Sequence, residues 1–140
     1  MLKCAITHPE LLSLLGECGH GDKILIADGN YPAISNTHEQ TRRVFLNLTH
    51  GIPLVTDVLS AIHETIAIEK AEVMIPDDGE EPAIFAEFRR LLGPELPLHP
   101  RGRFDFYGAG KEPNVKIAVV TGEQRIYANV LITMGVVQRH

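Results

Sequence analysis

The stretch Gly19-His20-Gly21-Asp22-Lys23-Ile24-Leu25-Ile26-Ala27-Asp28 decides the fold of this chain. Its centre, Ile24-Leu25-Ile26, is an unbroken apolar run, which suits a strand buried on both faces. Gly19 ends a helix just before it. That helix opens at Thr7-His8-Pro9-Glu10, with Thr7 as cap, Pro9 lacking an amide to leave unpaired, and Glu10 three residues on as in a capping box. Leu11, Leu12, Leu14 and Leu15 form its apolar stripe.

Working outward, residues 44–48 read as a second strand. Pro53 opens a second helix, carried by Leu54, Val55, Val58, Leu59 and Ile62 at helical spacing. Residues 71–75 are a third strand, closed by an acidic turn over 76–81. Pro82 starts a third helix with Ile84, Phe85, Phe88, Leu91 and Leu92 on one face. Residues 93–101 hold three prolines and read as loop. Residues 103–107 fit either a strand or a helix start. Residues 117–121 and 127–133 are the last two strands. Strands alternating with helices imply an α/β layered domain around a mostly buried sheet.

Composition narrows the function classes. At 140 residues the chain suits one domain, 1–140, with a core that needs no disulfide or structural metal. A net charge of −5, with basic residues no denser than Arg89/Arg90 and Arg101/Arg103, argues against nucleic acid as a partner. Cys4 and Cys18 read as free thiols in a reducing compartment. The start MLKCAITHPE lacks the apolar core of a signal peptide, and no apolar run approaches the ~20 residues of a membrane span. The expected location is the cytoplasm, with no membrane partner.

Three segments carry polar chemistry. In Gly19-His20-Gly21-Asp22 the flanking glycines let the chain turn and leave the imidazole reachable. Asp28 closes the buried strand, at the end where α/β sheets hold ligands. The plainer reading is a helix stop, a solvated turn histidine and a turn-capping aspartate. In Tyr127-Ala128-Asn129, Tyr and Asn offer partners for sugar hydroxyls and Ala permits close approach. The same residues also fit a strand start with a core tyrosine. In Arg103-Phe104-Asp105-Phe106-Tyr107 the guanidinium can hold a vicinal diol, or simply lie over core phenylalanines. Seven histidines, at 8, 20, 38, 50, 63, 99 and 140, show no metal-binding spacing. Residues 77–81 lack the alternation of a calcium loop. No Gly-rich phosphate loop or nucleophile elbow is present in the sequence.

Taken in order, Gly19-His20-Gly21-Asp22-Lys23-Ile24, Ala27-Asp28, Tyr31-Pro32, Arg103-Phe104-Asp105-Phe106-Tyr107, Thr121-Gly122-Glu123, Tyr127-Ala128-Asn129-Val130 and Gly135-Val136 resemble the sugar mutarotase family of L-fucose mutarotases and D-ribose pyranases. The resemblance covers nearly the whole chain. It implies a three-layer α/β/α domain with a mixed sheet, and homo-oligomeric rings, commonly decamers, with active sites near subunit interfaces. It implies no cofactor and no metal. It makes His20 the catalytic acid/base, and Asp28, Arg103, Tyr127, Ala128 and Asn129 the residues that bind a free monosaccharide.

Arg103 and the residues after it resemble the fucose branch. Residues 47–53 (NLTHGIP) and Tyr127-Ala128-Asn129 are closer to the ribose branch. The expected reaction is His-assisted opening and reclosure of a hemiacetal ring, with L-fucose as substrate and D-ribose as the alternative. Histidine suits it because its ordinary pKa of about 6.5 lets it give and take a proton near neutrality. The rivals are a non-catalytic sugar-binding accessory of a transporter and a structural ring-former with a vestigial pocket. A pure binder needs hydroxyl partners but no proton carrier, so His20 is the residue that separates the readings.

Overall fold

Lys23–Ala27 form strand β1, and Ile24, Leu25, Ile26 and Ala27 are completely shielded from solvent. Their alternation divides the interior in two: Ile24 and Ile26 point into one apolar cluster, Leu25 and Ala27 into another, as the two-residue period of a strand dictates. The structure is a computed structural model and describes residues 1–139.

The elements run α1 (Pro9–Glu17), β1, β2 (Arg42–Phe45), α2 (Val55–His63), β3 (Ile68–Met74), α3 (Ile84–Leu92), β4 (Leu98–Arg101), α4 (Arg103–Gly110), β5 (Val115–Val120) and β6 (Val130–Met134). The strands make one sheet in the order β2-β5-β1-β6-β3-β4. β6 is antiparallel to both neighbours, β1 and β3, and the remaining pairs are parallel. The sheet is mixed, as the resemblance implies. Helices α1, α2 and α3 cover one face through residues such as Leu11, Leu59 and Phe88. α4 covers the other with Phe106 and Ala109, beside Tyr31 and Ala33. Each fully buried Leu, Ile or Phe contributes about 1.5–3 kcal/mol, which makes the two clusters the main source of cohesion. This is the three-layer α/β/α arrangement.

β1 and β3 are both antiparallel to β6, so they point the same way. Asp28 and Met74 therefore lie at one end of the sheet, and His20 and Glu69 at the other.

Several local expectations change. The cap of α1 is His8, whose Nδ1 accepts the Leu11 amide at 3.1 Å, and not Thr7. Residues 98–101, read as loop because of their prolines, form β4. Pro100 is tolerated there because β4 is an edge strand, where a missing amide costs no interior ladder bond. Residues 103–107 resolve as the first part of α4. The last strand begins at Val130 and not at 127, since Tyr127 has a left-handed backbone (φ 59°) that no strand accommodates. Among the described residues, no helix is long and apolar enough to cross a membrane.

Candidate active site

Where β1 ends and antiparallel β6 begins, Asp28 and Asn129 meet although 101 positions separate them. The Asp28 amide donates to Asn129 Oδ1 at 2.8 Å, and Asn129 Nδ2 donates back to Asp28 Oδ2 at 3.2 Å. Asp28 Oδ1 accepts the amides of Asn30 and Tyr31 at 2.9 and 2.8 Å, an Asx turn that bends the chain away from the sheet. Both side chains are buried. Burial pushes the Asp28 carboxyl above the ordinary aspartate range, and the hydrogen bonds from Asn30, Tyr31, Asn129 and Ala128 pull it back only in part.

Tyr31 packs edge-on against Phe106 and Tyr107 and donates its hydroxyl to the Asn36 carbonyl at 3.0 Å. α4 comes close enough for this because residue 110 is glycine: a Cβ there would lie 2.6 Å from the Tyr31 hydroxyl. Arg103 opens α4 and is exposed. Its Nε donates to the Tyr107 hydroxyl at 3.4 Å, and its guanidinium lies 5.8 Å from the Phe104 ring centre and 5.7 Å from that of Tyr107.

These groups enclose a cleft of about 220 Å3 at the end of the sheet, lined by Asp28, Asn30, Tyr31, Met74, Arg103, Tyr107, Ile126, Tyr127 and Asn129. It lies where open α/β sheets bind ligands, and its volume suits a small molecule rather than a nucleotide. Polar side chains share the lining with Met74 and Ile126, which supply apolar surface. Tyr127 sits in the wall with a strained backbone, a feature that costs about 1–3 kcal/mol and persists only where the surroundings enforce it. Ala128, fully buried between Tyr127 and Asn129, does not line the cleft; it packs into the core on the helix-rich face.

Of the residues expected at one site, Asp28, Arg103, Tyr127 and Asn129 converge. His20 does not join them within this chain. It lies before β1, at the far end of that strand, with Nε2 2.9 Å from Glu69 Oε2 at the start of β3, and its side chain is 59% exposed. Five strand residues at about 3.3 Å each put roughly 17 Å between the two ends. Glu69 was not visible as a partner in the sequence, because 49 positions separate the two residues. Tyr31, Met74 and Ile126 also went unread as cleft residues. Tyr31-Pro32 was the available signal for the first; the other two look like ordinary apolar positions.

Among the described residues no three His, Cys, Asp or Glu side chains converge to hold a metal. Cys18 is a poor nucleophile: burial, then the charges of Asp22 and Glu17, push its thiol up to about 11.

The model of the RbsD / FucU transport protein family matches residues 1–137. An L-fucose mutarotase from Actinobacillus pleuropneumoniae is 29% identical over 136 residues, covering 91% of this chain and 90% of that protein. A D-ribose pyranase from Variovorax paradoxus is 29% identical over 140 residues, covering 97% and 98%. The structure of Bacillus subtilis RbsD complexed with D-ribose superposes with a TM-score of 0.81 at 27% identity, over 99% of this chain and 100% of that one.

Proposed function

The chain belongs to the RbsD / FucU transport protein family, and from that premise we propose that it is a sugar mutarotase, an isomerase that interconverts the anomers of free L-fucose. The observation that carries this reading is the convergence of Asp28, Asn129, Tyr127 and Arg103 on one small cleft. Relatives at 29% identity are named for the same kind of reaction, mutarotase and pyranase.

A cyclic sugar is a hemiacetal. Opening it removes the proton from the anomeric hydroxyl and adds one to the ring oxygen; the aldehyde turns and recloses on its other face. Neither oxygen ionises readily at neutral pH, so positioned proton transfer, worth about 10²–10⁴-fold, is the main thing a protein can add. Asp28 and Asn129 are held by each other and fix the hydroxyls with their remaining lone pairs and N–H. Arg103 presents a planar donor fork to adjacent hydroxyls. Met74 and Ile126 offer the apolar contact that a methyl-bearing sugar face needs. Tyr127, in the cleft wall, is assigned the role of a second proton carrier.

His20 is assigned the acid/base role, delivered to the cleft of one subunit by a second copy. An exposed imidazole oriented by Glu69 at the far end of the sheet suits that role, since it is free to enter a neighbour's cleft. The reading therefore includes a single catalytic domain over residues 1–140, assembled as a ring, a decamer by resemblance, in the cytoplasm.

D-ribose is the second substrate to test, because the superposed Bacillus subtilis protein is complexed with that sugar. Saturation-transfer NMR on a panel of free sugars decides between them. The expected result is faster exchange of L-fucose than of D-ribose at equal concentration, with the fucose rate lost in Arg103→His. Faster ribose exchange, unaffected by that variant, overturns both the substrate and the role of Arg103. No enhancement of any sugar overturns the enzyme reading.

A further inference from the structure

Tyr127 is the one non-glycine residue with positive φ among the described residues, and it stands in the cleft wall. Tyrosine gains nothing locally from that conformation, since its Cβ crowds the backbone there. Something outside the residue must hold it. One anchor is already clear: Asn129, two residues on, is locked to Asp28.

The other anchor lies on the opposite side of Tyr127. Glu123 is buried, with its Oε2 accepting from the Arg125 amide at 3.2 Å and from Arg125 Nε at 3.1 Å, and its Oε1 from Arg125 Nη2 at 2.8 Å. Arg125 Nη1 reaches on to Glu87 of α3. Glu123 itself is immobilised by its backbone. Its amide donates to Thr121 Oγ1 at 3.2 Å, and its carbonyl accepts the Gly29 amide at 2.8 Å. Gly122 is wedged against the 49–52 turn, where a Cβ would fall 2.2 Å from the Thr49 carbonyl oxygen. Burial alone would raise the Glu123 carboxyl, but the hydrogen bonds and charge of Arg125 outweigh it and hold the group ionised below the ordinary glutamate range. A charge-assisted fork of this kind is the strong, directional form of hydrogen bond.

None of Glu123, Arg125 or Glu87 lines the cleft. We infer that Arg125, clamped between Glu123 and Glu87, is a positioning residue that holds Tyr127 in its left-handed conformation and so aims the phenol at the bound sugar. The clamp acts through the backbone of residues 125–127 and makes no contact with substrate. The catalytic half of this inference rests on the mutarotase reading; the conformational half does not.

The test uses a feature of composition: the chain has three tyrosines and no tryptophan. Labelling with 3-fluorotyrosine gives one 19F line each for Tyr31, Tyr107 and Tyr127, and Tyr127→Phe assigns the last. In the intact oligomer, Arg125→Gln is expected to shift or broaden the Tyr127 line while the Tyr31 line stays in place. Anomer exchange should fall by about 10- to 100-fold, the cost of a misplaced catalytic group, and the double variant with Tyr127→Phe should fall little further than Tyr127→Phe alone. Arg125→Lys, which keeps the charge but loses the fork, should recover part of the rate. Should Arg125→Gln fail to fold, Glu87→Gln removes only the outer carboxylate and is expected to move the same line by less. An unmoved Tyr127 line in whichever variant folds overturns the inference. Losses of exchange that simply add in the double variant overturn its catalytic half. A wild-type protein that exchanges no sugar breaks the mutarotase reading and leaves the 19F result to decide the clamp.

Discussion

The two ends of the sheet are built on opposite plans. At one end, Asp28 and Asn129 are both buried and bonded by several partners, and the cleft they line is formed within one chain. At the other end, His20 has one side-chain partner, Glu69, and both are substantially exposed. Groups that recognise must keep their geometry, and burial with full hydrogen bonding provides that. A group meant to approach from another subunit has to stay outside its own core. The contrast explains why a site holding both His20 and Asp28 is not met within a single chain and needs the proposed second copy.

The largest effect that sharpens this contrast is on rate. His20→Ala is expected to lower anomer exchange by about 10²–10⁴-fold, the contribution of a general acid/base, while sugar affinity stays within several-fold in titration calorimetry. Thermal unfolding of the same variant should shift little, since an exposed substitution usually changes stability by about 0.5 kcal/mol or less. A wild-type exchange rate in His20→Ala would remove the distinction between the two ends.

The opposite end should respond the opposite way. Asp28→Ala strands the Asn129 amide and the Asn30 and Tyr31 N–H groups, so denaturant unfolding should show a loss of about 1–3 kcal/mol for each buried group left without a partner. Sugar binding should weaken with it. If Asp28→Ala were as stable as wild type, the interlocked end would be no more rigid than the exposed one.

A smaller effect concerns pH. Asp28 has its carboxyl raised by burial, so the folded state binds its proton more tightly than the unfolded chain does. Its contribution therefore becomes unfavourable as pH rises from the ordinary aspartate value of about 3.9 toward the raised folded value. Glu72, buried on β3, runs the other way. Burial alone would raise it, but Arg101 at 2.7 Å, Lys23 at 3.3 Å and Lys70 at 3.7 Å outweigh burial and lower it. Its stabilisation is present above the ordinary glutamate value of about 4.3 and is lost as pH falls through the lowered folded value. Unfolding measured from pH 6 downward should show less acid destabilisation in Glu72→Gln than in wild type. In Asp28→Asn, stability should decline less as pH rises through the acidic range. Either curve with the reverse slope breaks the assignment.

Much of this was legible in the sequence for a physical reason. Ile24-Leu25-Ile26 could only be an interior strand, and the stripes of α2 and α3 carry the period of a helix. Asp28 and Asn129 stood out because they punctuate apolar strands, and antiparallel pairing of β1 with β6 brings them together. What stayed hidden depends on distance or on broken local rules. β4 contains a proline that only an edge position permits. Tyr127 takes a backbone conformation that its own side chain disfavours, so no propensity could indicate it. The His20–Glu69 and Lys23–Glu72 pairs each join residues 49 positions apart. The left-handed tyrosine and the His20 pair, two of the unread features, bear on the proposed chemistry, where local consistency is most often given up.

Subunit mixing tests most directly whether the two ends belong to one site. Co-expression of His20→Ala with Asp28→Ala yields mixed assemblies in which an intact cleft can meet an intact histidine from the adjacent copy. If the two ends form one site across the interface, these mixtures exchange L-fucose well above the rate of either variant alone. Mixed assemblies no more active than the two parents would contradict the shared site.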